Sequence, residues 1–477
     1  MKKNLNEYFT QLLLYSLLLS TVFLSANRVY ACIVFGQSLD MFDTKDSSII
    51  SRNFDYPIGG RDGLGMILFN PKGVYRSSIK TSQNDNPVVW QSRYSSLTLN
   101  LLSPQTPQDG MNSEGLMASV TVIRGRVHFP QRVDQPSLTE MEILQFVLDQ
   151  AATAQEAIDL IVDRQDKKLS YEKGYREFFP KVKLVKLSNL YSSHGEINLH
   201  WTFCDAHKCA TIDNYPSGWE VKLIPVNKMI ITNEDTENMD NKYNKLATDN
   251  EIAREILPFE QKYVTREVPQ RYCNARFFSE NPDVLAHDVQ ANKSEIALNL
   301  QESSYEQPEI NFLENQFYLL ERTTAASWNK WQMIYQPQKK TFYYRTKKNN
   351  FVQKIEVENI LKDLESHTKV LGLSLHSYSQ IISSDFRELK TDSHIKDVVA
   401  LMGQSSKTAT HIIEHLEEQN TYHERTRANA SLADFRSHMT ERFQEVPENN
   451  GFDSKWGMLN ATAKILYFIS TGTTPRM

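Results

Sequence analysis

A cysteine directly follows a predicted signal-peptidase site near the start of the chain. Two lysines precede an apolar run from Leu12 to Leu24, and Val29 and Ala31 occupy the two small-residue positions of a cleavage site. The run is shorter than the about 20 residues that a membrane-spanning helix needs. Cleavage after Ala31 would leave Cys32 as the first residue, with a free α-amine beside its thiol. The sequence therefore predicts an exported, periplasmic or extracellular protein whose fold begins after a signal peptide at residues 1–31.

Length and charge limit the classes of protein that this chain can belong to. Its 477 residues are enough for one large domain with an appendage, or for two or more domains. The net charge is −5, and removal of residues 1–31, which carry a net charge of +2, leaves −7. Such mild acidity gives no reason to expect a nucleic-acid partner.

Strands are predicted in the first third of the chain and again after its first helices. Ile33–Phe35 should continue directly from the cysteine as a strand, with Ser48–Phe54 as its neighbour, and Met117–Ile123 reads as a buried strand. The remaining predicted strands are Asn198–Phe203, Cys209–Asp213, Trp219–Ile224, Lys228–Thr232, Trp331–Tyr335 and Thr341–Thr346.

Two helices are predicted between these groups of strands. Ile143, Phe146 and Val147 recur at helical spacing after Ser137, and Thr153-Ala154-Gln155-Glu156 fits a capping box that begins the second helix. The order of strands, helices and strands predicts an α+β fold in which helices stack on antiparallel sheets.

The segment after residue 353 shows a helical pattern without strands. Helices are predicted there at Ile355–Leu375, His394–Gln419, Ser431–Val446 and Trp456–Ile469. We therefore divide the chain into a signal peptide at residues 1–31, a main domain at residues 32–353 and a helical extension at residues 354–477.

The four cysteines leave one pairing open. Cys204 and Cys209 flank a predicted turn, so in an oxidising compartment they could pair across a hairpin. Two separate buried thiols are an equal alternative, because sequence determines disulfides only weakly.

An N-terminal cysteine carries a nucleophile and a base in one residue, since its α-amine titrates near about 8 and its thiol near about 8.5. Attack on an amide also needs a group that favours the thiolate, an anchor for the α-ammonium and an oxyanion hole. Arg52 and Asp55 could supply the first two from the end of one strand. Two other interpretations of Cys32 remain open, namely lipidation after a lipoprotein signal and simple burial.

A series of short segments follows Cys32 in a specific order. These segments are Arg52-Asn53-Phe54-Asp55, Asp109-Gly110-Met111-Asn112-Ser113-Glu114-Gly115-Leu116, Leu199-His200-Trp201, Ile231-Thr232-Asn233, Asn274-Ala275-Arg276-Phe277, Trp331-Gln332-Met333-Ile334-Tyr335 and Phe342-Tyr343-Tyr344-Arg345-Thr346. Together they resemble the choloylglycine hydrolase and penicillin V acylase family of N-terminal-nucleophile hydrolases. The resemblance extends from Cys32 to about residue 350, and residues 354–477 have no counterpart in the minimal family fold.

The resemblance implies a four-layer αββα core, in which two stacked antiparallel sheets are flanked by helices. It also implies that Cys32 is the nucleophile and its α-amine the base, with Arg52 beside the sulfur and Asp55 holding the amine. Without the resemblance, Arg52 and Asp55 would be read as a surface ion pair.

Three further site residues are implied by the resemblance alone. Asn112 and Asn233 would bind the developing oxyanion, and Arg276 would complete the charged network around the site. Taken by themselves, Asn112 would be read as a turn residue and Asn233 as a cap or loop residue. The resemblance implies no cofactor and no metal.

The implied reaction is hydrolysis of a linear amide through a thioester acyl-enzyme. Implied substrates are glycine- or taurine-conjugated bile salts, penicillin V or N-acyl homoserine lactones, which share a hydrophobic acyl group on a small polar amine. Loops at Tyr56–Leu64 and Val122–Gln131 are predicted to build the pocket. A homotetramer would be expected by analogy with the family.

Two alternatives come from other classes of protein. His411, Glu414 and His415 fit the H-x-x-E-H pattern, in which two histidines bind zinc and the glutamate acts as base. Many polar residues surround this motif, which also fits a solvated helix face. The other alternative is a non-enzymatic, envelope-associated binding protein that is lipid-anchored through Cys32.

Overall fold

The computed structural model of the chain describes 21 stretches of residues, and all structural statements concern these. They are residues 32–38, 48–55, 65–81, 86–101, 104–123, 135–163, 171, 178–185, 198–215, 218–233, 239–241, 243–244, 268–292, 305, 307–324, 329–347, 349–364, 368–372, 380–388, 406–426 and 429–443. The predicted signal peptide, most of both predicted pocket loops and the predicted helix at Trp456–Ile469 lie outside the described residues.

The described strands and helices are numbered in chain order. The strands are β1 Ile33–Ser38, β2 Ser48–Asp55, β3 Met66–Asn70, β4 Tyr75–Ser77, β5 Val89–Gln91, β6 Ser96–Asn100, β7 Pro107–Asn112, β8 Met117–Ile123, β9 Ser137–Thr139, β10 Val162–Asp163, β11 Phe179–Pro180, β12 Lys183–Val185, β13 Asn198–Cys204, β14 Lys208–Tyr215, β15 Gly218–Pro225, β16 Ile230–Ile231, β17 Asn329–Gln336, β18 Thr341–Thr346, β19 Gln353–Glu356, β20 Lys369–Gly372 and β21 Arg387–Glu388. The helices are α1 Ile143–Gln150, α2 Ala154–Ile161, α3 Val268–Glu280, α4 Pro282–Ala291, α5 Gln307–Arg322, α6 Val357–Asp363, α7 Ser406–Thr426 and α8 Leu432–Arg442.

Two antiparallel sheets form the centre of the fold. The smaller has six strands in the order β16-β1-β2-β17-β18-β19, and the larger has nine in the order β15-β14-β13-β8-β7-β6-β3-β20-β21. The predicted neighbours β1 and β2 pair directly, with Val34 opposite Arg52. The predicted hairpin of β17 and β18 is also present. The predicted α+β class is therefore confirmed.

Each sheet has one face toward the other sheet and one face toward helices, because side chains alternate along a strand. Along β1, Val34 packs into the core between the sheets, whereas Ile33 and Phe35 pack with α3 and α5. On the far side of the larger sheet, α1 contacts β7 and β8, and α2 contacts β13, β14 and β15. These layers give the αββα architecture that the resemblance implies.

The start of α2 follows from local chemistry. The Thr153 hydroxyl accepts a hydrogen bond from the Glu156 backbone N–H at 3.1 Å, as the predicted capping box requires. The Glu156 carboxylate accepts instead from the Ala152 N–H at 2.8 Å, so only half of the capping box is present.

The prediction of helices alone after residue 353 is wrong. β19 begins at Gln353 and pairs with β18, so the predicted boundary at residue 354 falls inside a strand of the smaller sheet. β20 lies within the predicted helix Ile355–Leu375 and pairs with β3 in the larger sheet. Only four residues long, β20 is too short to show a clear period-two pattern in the sequence.

Helices α7 and α8 lie within or close to two predicted helices and pack on the hairpin of β4 and β5. Tyr75 contacts the rings of Tyr422 and Phe435, and Met439 joins this small apolar cluster. These two helices therefore cover a surface that belongs to the main domain.

A disulfide joins Cys204 to Cys209, with an S–S distance of 2.11 Å. The two residues lie opposite each other at the end of the hairpin of β13 and β14. The first of the two alternatives for these cysteines is therefore the one observed. Within the described part of the chain, no helix combines the length and apolarity that crossing a bilayer requires.

Candidate active site

Cys32 immediately precedes β1 and lies at one edge of the space between the two sheets. Its side chain is only 1% exposed, and its thiol donates a hydrogen bond to the Asp55 backbone carbonyl at 3.5 Å. β1 is flanked by β2 and β16, with Ile33 opposite Asn53 and Val34 opposite Ile231. Residues at the carboxyl ends of β2 and β16 therefore meet at Cys32.

Arg52 occupies the inner face of β2 and is completely buried. Its Nη1 donates to the Asn53 carbonyl at 3.0 Å, and its Nη2 donates to the Val120 carbonyl of the facing sheet at 2.6 Å. Its Nε donates to the Asp109 carboxylate at 3.1 Å. These contacts fix the guanidinium between the sheets, within electrostatic reach of the Cys32 thiol.

Opposing effects act on the Cys32 thiol. Burial raises its pKa, because a thiolate loses solvation in the interior, and the nearby Asp55 adds to this increase. The positive charge of Arg52 lowers the pKa, but burial is the larger effect. In the full 477-residue chain, the nitrogen of Cys32 is part of a peptide bond and is not a free amine.

Asp109 is a buried counter-ion of Arg52 that the sequence analysis does not identify as a site residue. It lies within β7, where its carboxylate accepts hydrogen bonds from Arg52 and from the Trp331 indole N–H at 2.8 Å. The Trp331 ring stacks on Phe54 with centroids 4.2 Å apart. Burial raises the pKa of Asp109, and Arg52 opposes the increase. A buried arginine needs a carboxylate partner, and this need is the signal in the sequence that could have identified Asp109.

Asp55 is held from three directions at the end of β2. Its Oδ1 accepts hydrogen bonds from the Asn329 amide at 2.9 Å and the Thr324 hydroxyl at 3.1 Å. Its Oδ2 lies 3.8 Å from Nη1 of Arg271, and both side chains are fully buried. Arg52, Asp55 and Cys32 are thus brought together, as the sequence predicts.

The predicted site arginine Arg276 lies elsewhere. Its side chain is 26% exposed, forms ion pairs with Asp240 and Glu280, and stacks over Tyr243. Arg271, five residues earlier in α3, occupies the buried position beside Asp55. Five residues correspond to about 140° around a helix, so the two arginines face different directions. The prediction for Arg276 is therefore wrong.

Asn233 follows β16 at the edge where Cys32 lies. Continuing the register of Val34 with Ile231 brings Asn233 opposite Cys32. Its Nδ2 donates one hydrogen bond to the Val122 carbonyl of β8 at 2.5 Å, and an amide nitrogen carries a second hydrogen. The structure therefore brings Asn233 to the site.

Asn112 cannot fill the oxyanion-binding role predicted for it. Its Nδ2 donates to the carbonyls of Leu148 and Ala151, and its Oδ1 accepts from the N–H groups of Glu114 and Leu116. It is the last residue of β7 and its side chain bonds to the α1 region, whereas Arg52 and Asn233 bond to the carbonyls of Val120 and Val122 in β8. Asn112 shapes the turn before β8 and joins that turn to α1.

The H-x-x-E-H residues do not converge. His415 is buried in α7 with its Nε2 3.2 Å from the Ser77 carbonyl, and burial lowers its pKa to about 4. The rings of His411 and His415 pack on Phe443, and Glu414 is exposed. Among the described residues, no group of three metal-binding side chains is close enough to hold an ion.

The assembled site combines four functional groups. Cys32 supplies a thiol, Arg52 a fixed positive charge, Asp55 an oriented carboxylate and Asn233 an amide donor. This combination suits attack on a carbonyl carbon, in which negative charge develops first on sulfur and then on oxygen.

Comparisons with known proteins identify related sequences and folds. Residues 37–236 match the family described as linear amide C-N hydrolases, choloylglycine hydrolase family. Penicillin V acylase from Agrobacterium tumefaciens is similar in structure, with a TM-score of 0.51 and 17% sequence identity over 75% of this chain and 97% of that chain. Comparison with curated proteins gave no match.

Conjugated bile acid hydrolase from Clostridium perfringens shows a weaker structural similarity. A variant with alanine in place of a cysteine has a TM-score of 0.44 and 13% identity over 74% of this chain and 98% of that chain. A variant with leucine in place of an arginine has a TM-score of 0.45 at the same identity, over 74% of this chain and 99% of that chain.

Proposed function

We propose that this chain is an exported amidohydrolase with Cys32 as its N-terminal nucleophile, because residues 37–236 match the family described as linear amide C-N hydrolases, choloylglycine hydrolase family. The observation that carries the proposal is the convergence on Cys32 of a fully buried arginine, Arg52, and a fully buried carboxylate, Asp55. Neither charge has a structural need to lie beside a thiol.

Removal of residues 1–31 is the activating step in this proposal. It creates the α-amine of Cys32 at the site, where Asp55 would anchor it. The amine then accepts the thiol proton, and Arg52 stabilises the resulting thiolate against the unfavourable effect of burial. Export and activation would therefore be one event.

The reaction proceeds by two acyl transfers. The Cys32 thiolate attacks the amide carbonyl carbon, and the second N–H of the Asn233 amide binds the developing oxyanion. The α-ammonium protonates the leaving nitrogen as the C–N bond breaks, which leaves a thioester on Cys32. Water, deprotonated by the α-amine, attacks the thioester and releases the carboxylic acid and the thiol.

The proposed substrates are amides that join a hydrophobic acyl group to a small polar amine. Conjugated bile salts, penicillin V and N-acyl homoserine lactones are the three types to compare. The resemblance in the sequence supports this choice, and the description of the matching family supports the bond type. A homotetramer of such chains is proposed by analogy only.

A hydrolysis panel tests this function. The mature protein is incubated with each of the three substrate types, and product amine is measured by mass spectrometry. We expect turnover of at least one substrate and a loss of at least about 1,000-fold in Cys32→Ala, since no other group replaces the nucleophile. Cys273→Ala is the matched control, because Cys273 is the other buried cysteine among the described residues that lies outside the disulfide. Unchanged turnover in Cys32→Ala would exclude the mechanism.

A further inference from the structure

A row of polar side chains crosses the inner face of the larger sheet near Cys32. Side chains on this face belong to alternate residues of β8, β13 and β14. The strand register places Thr121 opposite His200, and its continuation places His200 opposite Asp213. The far half of the same face is apolar, with Leu97, Leu99 and Ile67. The polar side chains of this face therefore lie toward the β15 edge of the sheet, from β7 onward, whereas β3 and β6 contribute apolar ones.

His200 and Asp213 form a buried pair in this row. Nδ1 of His200 contacts Oδ1 of Asp213, and both side chains are almost completely buried. Nε2 of His200 and Oγ1 of Thr121 are also buried, and neither has a hydrogen-bond partner in the part of the chain that the structure describes. Directly opposite residues on paired strands are roughly 5 Å apart. One ligand group can therefore contact both polar atoms.

The position of Thr121 links this pair to the reaction. The carbonyl of Val120 accepts from Arg52, and the carbonyl of Val122 accepts from Asn233. Thr121 lies between them on β8, so it is one residue from each point at which the candidate active site contacts the larger sheet. A group bound by Thr121 and His200 would lie next to the reacting amide.

Charge on the surrounding strands favours a neutral ligand group. Asp213 faces His200 from β14, and Glu220 lies opposite Asp213 on β15, where it forms an ion pair with Lys222. A substrate carboxylate would be repelled by Asp213, whereas Lys222 offsets the charge of Glu220. A hydroxyl can donate to Nε2 and accept from the Thr121 hydroxyl, while Nδ1–H donates to Asp213.

We propose that Thr121 and His200, oriented by Asp213, form a polar subsite that binds a neutral hydroxyl group on the amine half of the substrate. This inference rests on the proposed function for the identity of the reacting bond. The hydrophobic acyl half cannot satisfy two buried polar atoms, so it does not occupy this subsite. None of the three substrate types compared above carries a neutral hydroxyl on its amine half, so the subsite adds a fourth type of linear amide to the comparison, the amides of small amino alcohols.

Kinetics with three matched amides test the subsite. N-decanoylethanolamine and N-decanoylpropylamine differ by a hydroxyl in place of a methyl group, and N-decanoylglycine carries a carboxylate. We expect kcat/KM to be at least about tenfold higher for the ethanolamine than for the propylamine, because a buried hydrogen-bonding pair rejects an apolar group. The glycine conjugate should be the poorer of the two polar substrates.

Variants of Thr121 distinguish binding from support of the fold. Thr121→Val should reduce the ethanolamine-to-propylamine ratio about tenfold, whereas Thr121→Ser should retain the ratio because it keeps the hydroxyl. Thr202→Val is the matched control, since Thr202 lies on the same buried face of β13, farther from the carboxyl end of β8. An equal loss for both substrates in Thr121→Val would overturn the proposal.

A binding measurement keeps this inference separate from the proposed function. The Cys32→Ala protein, labelled with ¹⁵N in its histidine rings, is titrated with each of the two neutral amides. A shift of the His200 Nε2 signal with the ethanolamine alone supports the subsite, even if the wild-type protein hydrolyses none of the amides. No shift with either amide, or the same shift with both, overturns it.

Discussion

Two buried ion pairs on opposite faces of the larger sheet have nearly the same composition. On the inner face, Arg52 contacts Asp109, which also accepts from the indole N–H of Trp331. On the outer face, Nε of Arg76 lies 2.9 Å from Oδ2 of Asp149, which also accepts from the indole N–H of Trp90 at 2.7 Å. All four charged side chains are essentially inaccessible to solvent.

The difference between the pairs lies in their other neighbours. The side chains of Arg76 and Asp149 also form hydrogen bonds with the amides of Asn70 and Gln145, which lie in β3 and α1. Arg52 instead acts on Cys32, so its charge has a second effect beyond holding two layers together. A buried and paired arginine alone therefore does not mark a candidate site, whereas a thiol beside the pair does.

Replacing each arginine by lysine should give the largest measurable difference between the two ion pairs. Both Arg52→Lys and Arg76→Lys should lose stability by about 1–3 kcal/mol, because lysine cannot reproduce a fixed fork of donors. Only Arg52→Lys should also lower kcat/KM, by at least about 100-fold at a temperature where both variants are folded. Denaturant unfolding and steady-state kinetics measure the two quantities, and equal activity losses would remove the distinction.

Asn233 and Asn112 allow a second comparison, between an asparagine at the candidate site and one that holds a turn. Asn233→Ala should lower kcat by about 100-fold, the size observed when one oxyanion donor is removed. Asn112→Ala should keep kcat within about twofold but lose about 2–4 kcal/mol of stability, because four hydrogen bonds to the turn and to α1 disappear. A large kcat effect in Asn112→Ala would restore the role that the sequence predicts for it.

Arg271 and Arg276 allow the same kind of comparison within one helix, α3. Arg271→Gln should reduce kcat/KM by about tenfold, because Asp55 loses the charge that lies 3.8 Å away. Arg276→Gln should stay within about twofold, since its partners Asp240 and Glu280 are partly exposed. Measured kinetics that reverse this order would show that Arg276 reaches the site.

Glu142, the residue before α1, should make the stability of the fold depend on pH. Burial raises the pKa of Glu142 to about 7 from 4.5, against hydrogen bonds from Ser78 and Thr139. Between these pH values the folded state binds more protons than the unfolded state, so stability falls as pH rises from about 4.5 to about 7. The loss amounts to roughly 3 kcal/mol for this group. Urea unfolding at pH 5 and pH 8 should show a smaller change in Glu142→Gln than in the wild type.

Sequence reasoning predicts best where the evidence is local. β1, β2, β8 and the start of α2 follow from runs of apolar residues and a threonine cap, and all are present. Cys32, Arg52 and Asp55 come together because two adjacent antiparallel strands join them. Short elements such as β20 escape prediction because their pairing partner, β3, lies about 300 residues away in the chain.

Errors in the site have a common physical cause. Choosing between Arg271 and Arg276 requires the helical phase of α3, which also places Asn274 and Ala275 on the buried side with Arg271. Asp109 and Asn112 lie three residues apart, and only the sheet register shows that Asp109 faces Arg52 while Asn112 faces α1. Residue type alone could not supply either fact.

Mass spectrometry of the mature amino terminus tests the central claim most directly. The exported protein is mixed with an amide that it hydrolyses, quenched in acid within milliseconds and digested. We expect the first peptide to begin at Cys32, with a fraction carrying the acyl group as a thioester on the Cys32 sulfur. A chain that begins elsewhere, a diacylglyceryl group on Cys32, or turnover without any acylated Cys32 would contradict the account.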